Sequence, residues 1–321
     1  MDEKTAAARF DDAARNLGAL SGRFNLPQDI KAHAQEIRLR AGRPVMLSLP
    51  NAPVFITQSG SPSFSPKGSL LCADRVQIDE AFRLICDCSV HSHQREIRNG
   101  FVTLRGGHRA GICGTAVTEG DIVSNIRDIS SINLRVARDI AGAADDTVKA
   151  VISGGQVLGT LLFGPPGCGK TTVLRDLARQ LSSGLRGSRL YRVAVIDERG
   201  EIAASFLGVP QNDLGPCCDV LDGYPKGEGI MQAVRCLSPD IVICDEIGGE
   251  ADENAVEQSL NAGVTVIASA HAGSIAELMA RPQMARLITC GAFKRVVQLA
   301  GREHPGVVVG VFSEDRFKKA I

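Results

Sequence analysis

The run Gly164-Pro165-Pro166-Gly167-Cys168-Gly169-Lys170-Thr171, followed by Thr172, meets every fixed position of G-x-x-x-x-G-K-[ST]. Its chemistry is phosphate binding. Glycines without a Cβ let backbone N–H groups close around phosphate oxygens. Lys170 is spaced to reach the β- and γ-phosphates of ATP, and the Thr171 hydroxyl to ligate Mg²⁺. A helix expected over 171–181 would turn its positive end toward the same anion. A bare glycine-rich turn between strand and helix would leave the Lys-Thr pair unexplained.

Three further segments end in groups suited to hydrolysis. Ile241-Val242-Ile243-Cys244-Asp245-Glu246 lies about 75 residues downstream, enough for intervening α/β units. An apolar strand there delivers two carboxylates to its C-terminal end, where ligands bind in open α/β sheets. Asp245 suits the Mg²⁺ shell, and Glu246 suits the orientation or activation of water. The strand over 193–196 likewise ends in Asp197-Glu198-Arg199. It follows the phosphate-loop helix directly, so Glu198 competes with Glu246 as the base, with position favouring Glu246. The strand over 264–268 ends in Ser269-Ala270-His271, where His271 could sense the γ-phosphate. The catalytic candidates are Glu246, Glu198 and Lys170. The metal ligands are Thr171 and Asp245.

The surrounding elements must hold these ends together. Strand-length apolar runs at 160–163, 192–196, 241–244, 264–268 and 307–312 alternate with helical stretches. That texture predicts a doubly wound α/β domain with a mostly parallel sheet over 143–321. Residues 1–142 read as a small α+β domain with mainly short strands. A helix is expected over 5–20, strands over 36–40 and 44–49, and a helix over 79–88. Short strands follow at 101–104, around Ile112, at 122–126 and at 131–138.

Composition narrows the function classes. The chain has 321 residues, 36 basic and 36 acidic, so net charge gives no pull toward nucleic acid or anionic lipid. No apolar run reaches the length of a membrane span. The N-terminus lacks the basic-then-apolar order of a secretory signal, which predicts a cytoplasmic protein with reduced thiols for its ten cysteines. Cys86, Cys88, His91 and His93 hold soft-metal ligand types at a spacing unlike the usual zinc sites, which disfavours a metal there.

Motifs outside the phosphate loop carry a resemblance. They are Asp197-Glu198-Arg199-Gly200-Glu201-Ile202, Gly208-Val209-Pro210-Gln211-Asn212-Asp213 and Asp219-Val220-Leu221-Asp222-Gly223. Ser238-Pro239-Asp240 and Asn261-Ala262-Gly263-Val264-Thr265 belong with them. So do Glu36-Ile37-Arg38-Leu39-Arg40, Glu96-Ile97-Arg98-Asn99-Gly100 and Gly106-Gly107-His108-Arg109 in the first domain. Together these resemble the stage III sporulation protein AA family over nearly the whole chain. That family is similar to the type II and type IV secretion ATPases. The resemblance implies a RecA-like P-loop NTPase domain, an acidic box at Asp197-Glu198 and a His box at His271. Asp197 and His271 then join Gly164, Pro165, Pro166, Gly167, Cys168, Gly169, Lys170, Thr171 and Thr172 as nucleotide-binding residues. It further implies an ATPase motor in a hexameric ring, working with membrane proteins of a sporulation channel complex. Placement would be cytoplasmic, at the inner face of a membrane through those partners. Gly248-Gly249-Glu250 departs from the family, which more often has basic residues there. Related plastid and cyanobacterial proteins add a C-terminal nucleic-acid-binding domain. The residues after the last expected strand leave no room for one, so nucleic acid is not an expected partner; the alternative readings are a nucleic-acid-acting ATPase and a nucleotide-gated scaffold with little turnover. An arginine in cis or from a neighbouring subunit would complete such a site, with Arg109, Arg127, Arg135 and Arg138 as candidates for the role from a neighbouring subunit.

Overall fold

The computed structural model describes residues 2–98, 100–138, 140–185 and 189–313. The chain divides into two compact units, Met1–Asp139 and Ile140–Ile321.

Strands of the first unit are β1 (Glu36–Arg40), β2 (Arg43–Pro44), β3 (Met46–Ser48), β4 (Pro53–Ile56), β5 (Pro62–Ser63), β6 (Cys72–Ala73), β7 (Phe101–Thr103), β8 (Arg109–Glu119) and β9 (Ile122–Arg135). Seven form one antiparallel sheet in the order β5-β4-β3-β1-β9-β8-β7, while β2 and β6 pair separately. Alternation along the strands sets the faces. Ile37, Leu39, Ala110, Ile112, Ile132 and Leu134 enter a core with Phe10, Leu17, Leu20, Ile30, Ile78, Ile85 and Ile97. Those partners come from α1 (Glu3–Ala14), a 3-10 segment (Arg15–Arg23), α2 (Gln28–His33), α3 (Arg75–Ile85) and α4 (Gln94–Arg98). On the polar side of β1, Glu36 accepts hydrogen bonds from Arg38, Ser48, Asn133 and Arg135.

Several expectations for this unit are corrected. The helix over 5–20 stops at Ala14, and Gly18 at φ +59° kinks the 3-10 continuation. The strand over 44–49 is divided, because Val45 N–H donates to Leu71 O between β2 and β3. The helix over 79–88 is α3. The Asp74–Gln77 capping box starts it earlier, and Asp87 and Cys88, with positive φ, lie beyond its end. Seven of the nine strands are short, as expected, but β8 and β9 form one hairpin of 11 and 14 residues where separate short strands were expected. Register shifts at Cys113/Thr115 and Val117/Thr118 break its alternation.

The second unit begins with α5 (Asp145–Val151) and a two-residue ribbon, β10 (Ile152–Ser153) with β11 (Gln156–Val157). Its sheet contains β12 (Thr160–Gly164), β13 (Val193–Asp197), β14 (Cys218–Asp222), β15 (Ile241–Cys244), β16 (Thr265–His271), β17 (Arg295–Leu299) and β18 (Val308–Ser313). The order is β14-β13-β15-β16-β12-β17-β18, parallel throughout except that β18 runs antiparallel to β17. Successive residues of each central strand pack on opposite faces. Leu161, Phe163, Ala194, Ile196, Val242 and Val266 meet residues of α7 (Lys226–Cys236), α8 (Glu250–Asn261), α9 (Ile275–Met279) and α10 (Pro282–Thr289). Leu162, Val193, Val195, Ile241, Ile243 and Ile267 meet α5 and α6 (Lys170–Ser182). Helices on both faces of a mostly parallel sheet make this a RecA-like P-loop α/β fold. β14 and β17 lie outside the expected set. β14 is a half-exposed edge strand, and β17 has Gln298 among its apolar residues. Among the described residues, no helix is long and apolar enough to cross a membrane.

Candidate functional site

The sheet order sets β13, β15, β16 and β12 side by side, so their carboxyl ends share one edge. Register aligns those ends: Gly164 is opposite His271, and Cys244 lies opposite both Ala268 and Ile196. The phosphate loop, the two acidic strand ends and His271 are therefore brought together.

β12 ends at Gly164 and α6 starts at Lys170, so residues 165–169 turn directly into a helix N-terminus. Gly167 and Gly169 have φ of +78° and +90°, conformations that favour glycine. Pro165 and Pro166 carry no N–H, so as nucleotide-binding residues they offer phosphate only shape, not donors. Their carbonyls serve inward: Pro165 O accepts from Lys170 and Pro166 O from Arg302. Cys168 is buried beneath the loop. Amides from Gly167 onward, toward Thr172, remain the donors suited to a phosphate cradle.

Lys170 is only 5% exposed. Its Nζ donates to Gly164 O at 2.9 Å, Pro165 O at 3.2 Å and His271 Nδ1 at 3.1 Å. An ammonium has no acceptor, so Nδ1 accepts and the histidine proton sits on Nε2. Nε2 then donates to Glu246 Oε1 at 2.5 Å. Arg199 Nη1 donates to the other oxygen, Glu246 Oε2, at 2.8 Å. A continuous chain thus runs from Lys170 through His271 to Glu246. Burial raises the Glu246 carboxyl, but the hydrogen bond from His271 and the charges of Arg199 and Lys170 outweigh it. The net position is below the ordinary carboxylate value. Glu246 also has φ +46°, a costly backbone state for a residue with a Cβ.

Thr171 Oγ1 donates to Asp245 Oδ2 at 2.6 Å. Asp245 Oδ1 accepts from Ser269 Oγ and from the Glu246 amide, which also donates to Ser269 Oγ. A hydroxyl and a carboxylate oxygen in contact at the foot of the loop suit a hard cation such as Mg²⁺, which takes few protein oxygens beside phosphate and water. The residues present therefore fit the nucleotide and its metal.

The two acidic residues after β13 have different surroundings. Asp197 is buried, and its oxygens accept from the amides of Glu201, Ile202 and Ala203. Burial pushes its carboxyl upward, against those three amides. Asp197 is expected to bind nucleotide; in this structure its oxygens are engaged by the turn after β13. Glu198 faces the crevice and pairs with Lys226. Asp197, Glu198, Arg199, Lys226, Asp245 and Glu246 line a cavity of about 20 Å³. That is room for about one water.

The four arginine candidates are engaged within the first unit. Arg109 stacks over Phe101 at 3.5 Å, Arg127 lies 3.7 Å from Asp128, Arg135 pairs with Glu36, and Arg138 donates to Ala34 O. Burial, with a contribution from Glu96, pushes the Cys86 thiol up to about 11. His93 binds Glu96. The side chain of His91 lies outside the described residues. All ten cysteines are free.

Ser269, Arg199, Lys226 and Arg302 are site residues that sequence reasoning did not assign. Ser269 had a readable signal, since it lies two residues before His271 on one strand and therefore on the same side. Lys226 comes to the crevice, and Arg302 to the phosphate loop, from segments whose approach only the fold determines.

Known proteins agree with this architecture. The family model for sporulation stage III, protein AA matches residues 21–318. Stage III sporulation protein AA of Bacillus subtilis (strain 168) is 38% identical over 290 residues, 90% of each chain. Among solved structures, the Legionella pneumophila ATPase DotB superposes with a TM-score of 0.55 at 16% identity, covering 86% of this chain and 79% of DotB. The pilus retraction motor PilT with bound ADP gives 0.54 at 15% identity, covering 83% and 74%. At such identities the structural likeness is one of fold.

Proposed function

Because the chain belongs to the sporulation stage III protein AA family, we propose that it is an ATP-binding, ATP-hydrolysing motor. In this reading it powers or assembles a membrane-associated secretion or channel complex during endospore formation. The observation that carries the reading is the Lys170–His271–Glu246 chain built onto the phosphate loop.

Each residue has a physical role in it. Amides of the loop wrap the phosphates, and the α6 N-terminus adds its partial positive charge. Lys170 exchanges the carbonyls of Gly164 and Pro165 for β- and γ-phosphate oxygens. Thr171 and Asp245 would hold Mg²⁺, which when bound would neutralise charge on the phosphates. Glu246 orients a water in the crevice, which Glu198 also lines. The water oxygen bonds to the γ-phosphorus as the β–γ bridge bond breaks, the water's proton passes by way of Glu246 to the released phosphate, and ADP and phosphate leave. Loss of the γ-phosphate would return Lys170 to its carbonyls and be felt by His271. The description of PilT as a retraction motor with bound ADP supports coupling such a cycle to force. A homo-oligomeric, hexameric ring in the cytoplasm, docked on membrane proteins and independent of nucleic acid, belongs to the same proposal.

Nucleotide titration and phosphate release test it. Wild-type protein should bind ATP and release phosphate, and Lys170→Ala should lose both. A wild-type protein that neither binds nor hydrolyses ATP beside its membrane partners overturns the proposal.

One observation favours a second reading. Both oxygens of Glu246 already accept hydrogen bonds from donors, and its carboxyl is held low, which weakens it as a base. A nucleotide-gated scaffold with little turnover would suit such a group. Function in vivo that survives Glu246→Gln and Glu198→Gln but not Lys170→Ala would select the scaffold.

A further inference from the structure

We propose that Arg302 is a phosphate-contacting arginine of the nucleotide site, supplied in cis by the loop between β17 and β18. The inference rests on the nucleotide-site reading above and adds a residue to it.

Residues 300–307 form a loop closed by its own backbone: Ala300 N–H donates to Val307 O, His304 N–H to Gly301 O and Val307 N–H to His304 O. The loop is fastened to the phosphate loop at two points. Gly306 N–H donates to Cys168 O at 2.8 Å, and Arg302 Nε donates to Pro166 O at 3.1 Å. The fit is tight on both sides. A Cβ on Gly169 would lie 2.9 Å from the Gly306 nitrogen, and a Cβ on Gly167 would lie 2.8 Å from Arg302 Nε and 3.1 Å from its Cγ. Gly167 is required for its positive φ, and the arginine stem runs close across it.

The charge of this arginine has no carboxylate counterpart among the described residues. Among the described residues, its hydrogen-bond partner is the Pro166 carbonyl and it forms no ion pair with a carboxylate. The four arginines considered from the sequence all have partners in their own unit. Arg302 lies on the same opening segment of the loop, 164–167, whose carbonyls hold Lys170. Lysine of such a loop serves the β- and γ-phosphates. A guanidinium fixed there through Nε keeps its Nη groups for the same oxygens, in the planar fork suited to phosphate. β17 and β12 are paired neighbours, so the loop is carried by the sheet itself and needs no second subunit.

The test uses the full chain with Mg²⁺, ADP and a non-hydrolysable ATP analogue. Arg302→Gln should weaken the triphosphate analogue on the order of tenfold or more. ADP should be weakened less, so the triphosphate-to-diphosphate preference falls. Arg302→Lys, which keeps the charge but not the fork, should fall between. If Arg302→Gln is poorly folded, Arg302→Lys decides by the same preference. Arg189→Gln, an exposed arginine stacked on Tyr191, is the control and should match wild type. An unchanged preference in Arg302→Gln, with Lys170→Ala still losing nucleotide, overturns the role of Arg302 and leaves the site reading intact. Equal weakening of both nucleotides makes the loop merely structural and also overturns it. If wild type binds neither nucleotide, the site reading itself falls.

Discussion

Glu246 and Glu198 both line a one-water crevice, yet their surroundings differ in kind. Glu246 is tied to Lys170 through His271, so its position is coupled to whatever Lys170 holds. Glu198 is balanced by Lys226 and has no such link. Glu246→Gln is expected to lower ATP turnover by about 10²–10⁴-fold, the usual worth of a positioned base, with nucleotide binding retained. Glu198→Gln should cost less than about tenfold, since it leaves that coupling in place. Phosphate release and fluorescent-nucleotide titration on both variants check the order, and a larger loss in Glu198→Gln reverses the assignment.

Two elements of the first unit carry predictions of stability. His108 is fully buried between α1 and the start of β8. Its Nδ1 accepts from Ala137 N–H, and its Nε2 donates to Asp12. Burial holds the imidazole below its ordinary 6.5, outweighing the upward pull of Asp12, with Arg9 adding to the depression. A folded pKa below the unfolded one means that the unfolded chain binds the proton more readily. The neutral ring's contribution is thus complete above about pH 6.5 and is lost as pH falls through the folded value. Thermal unfolding should show a midpoint that declines from pH 7 to pH 5, and His108→Gln should flatten that slope. The β8–β9 hairpin behaves differently. Its buried part ends at Ile112 and Ile129, and the distal residues of β8 from Cys113 onward are exposed. Replacing 115–126 by an Asn-Gly turn should therefore shift the thermal midpoint by no more than about 2–4 °C. A larger drop would mean that the distal hairpin is packed in solution.

At the scale of the whole molecule, the site is open along the strand-end edge, where Arg199 is exposed beside the crevice. If a ring places nucleotide between subunits, the triphosphate should promote assembly. Light scattering coupled to size separation is expected to show a higher-order species with a non-hydrolysable ATP analogue and Mg²⁺, and less of it in Lys170→Ala. A monomer under all nucleotide conditions removes the ring.

The phosphate loop, both acidic strand ends and the parallel strands carrying them were legible from residues alone. Their chemistry is local: a loop of fixed spacing binds an anion, and a continuous apolar run must be buried on both faces. The first unit was less legible, because a broken alternation hides a long bulged hairpin and Asp74, not the apolar pattern, decides where α3 starts. What only the tertiary structure decided is which atoms are already engaged. Asp197 and Glu198 are adjacent in sequence, yet one is buried among amides and the other faces the crevice, because the turn after β13 needs an internal acceptor. Ser269 beneath Asp245 depends on strand register, and Arg302 on the phosphate loop depends on the pairing of β17 with β12. Contacts between segments about 130 residues apart follow from sheet order, and nothing in their local sequence encodes it.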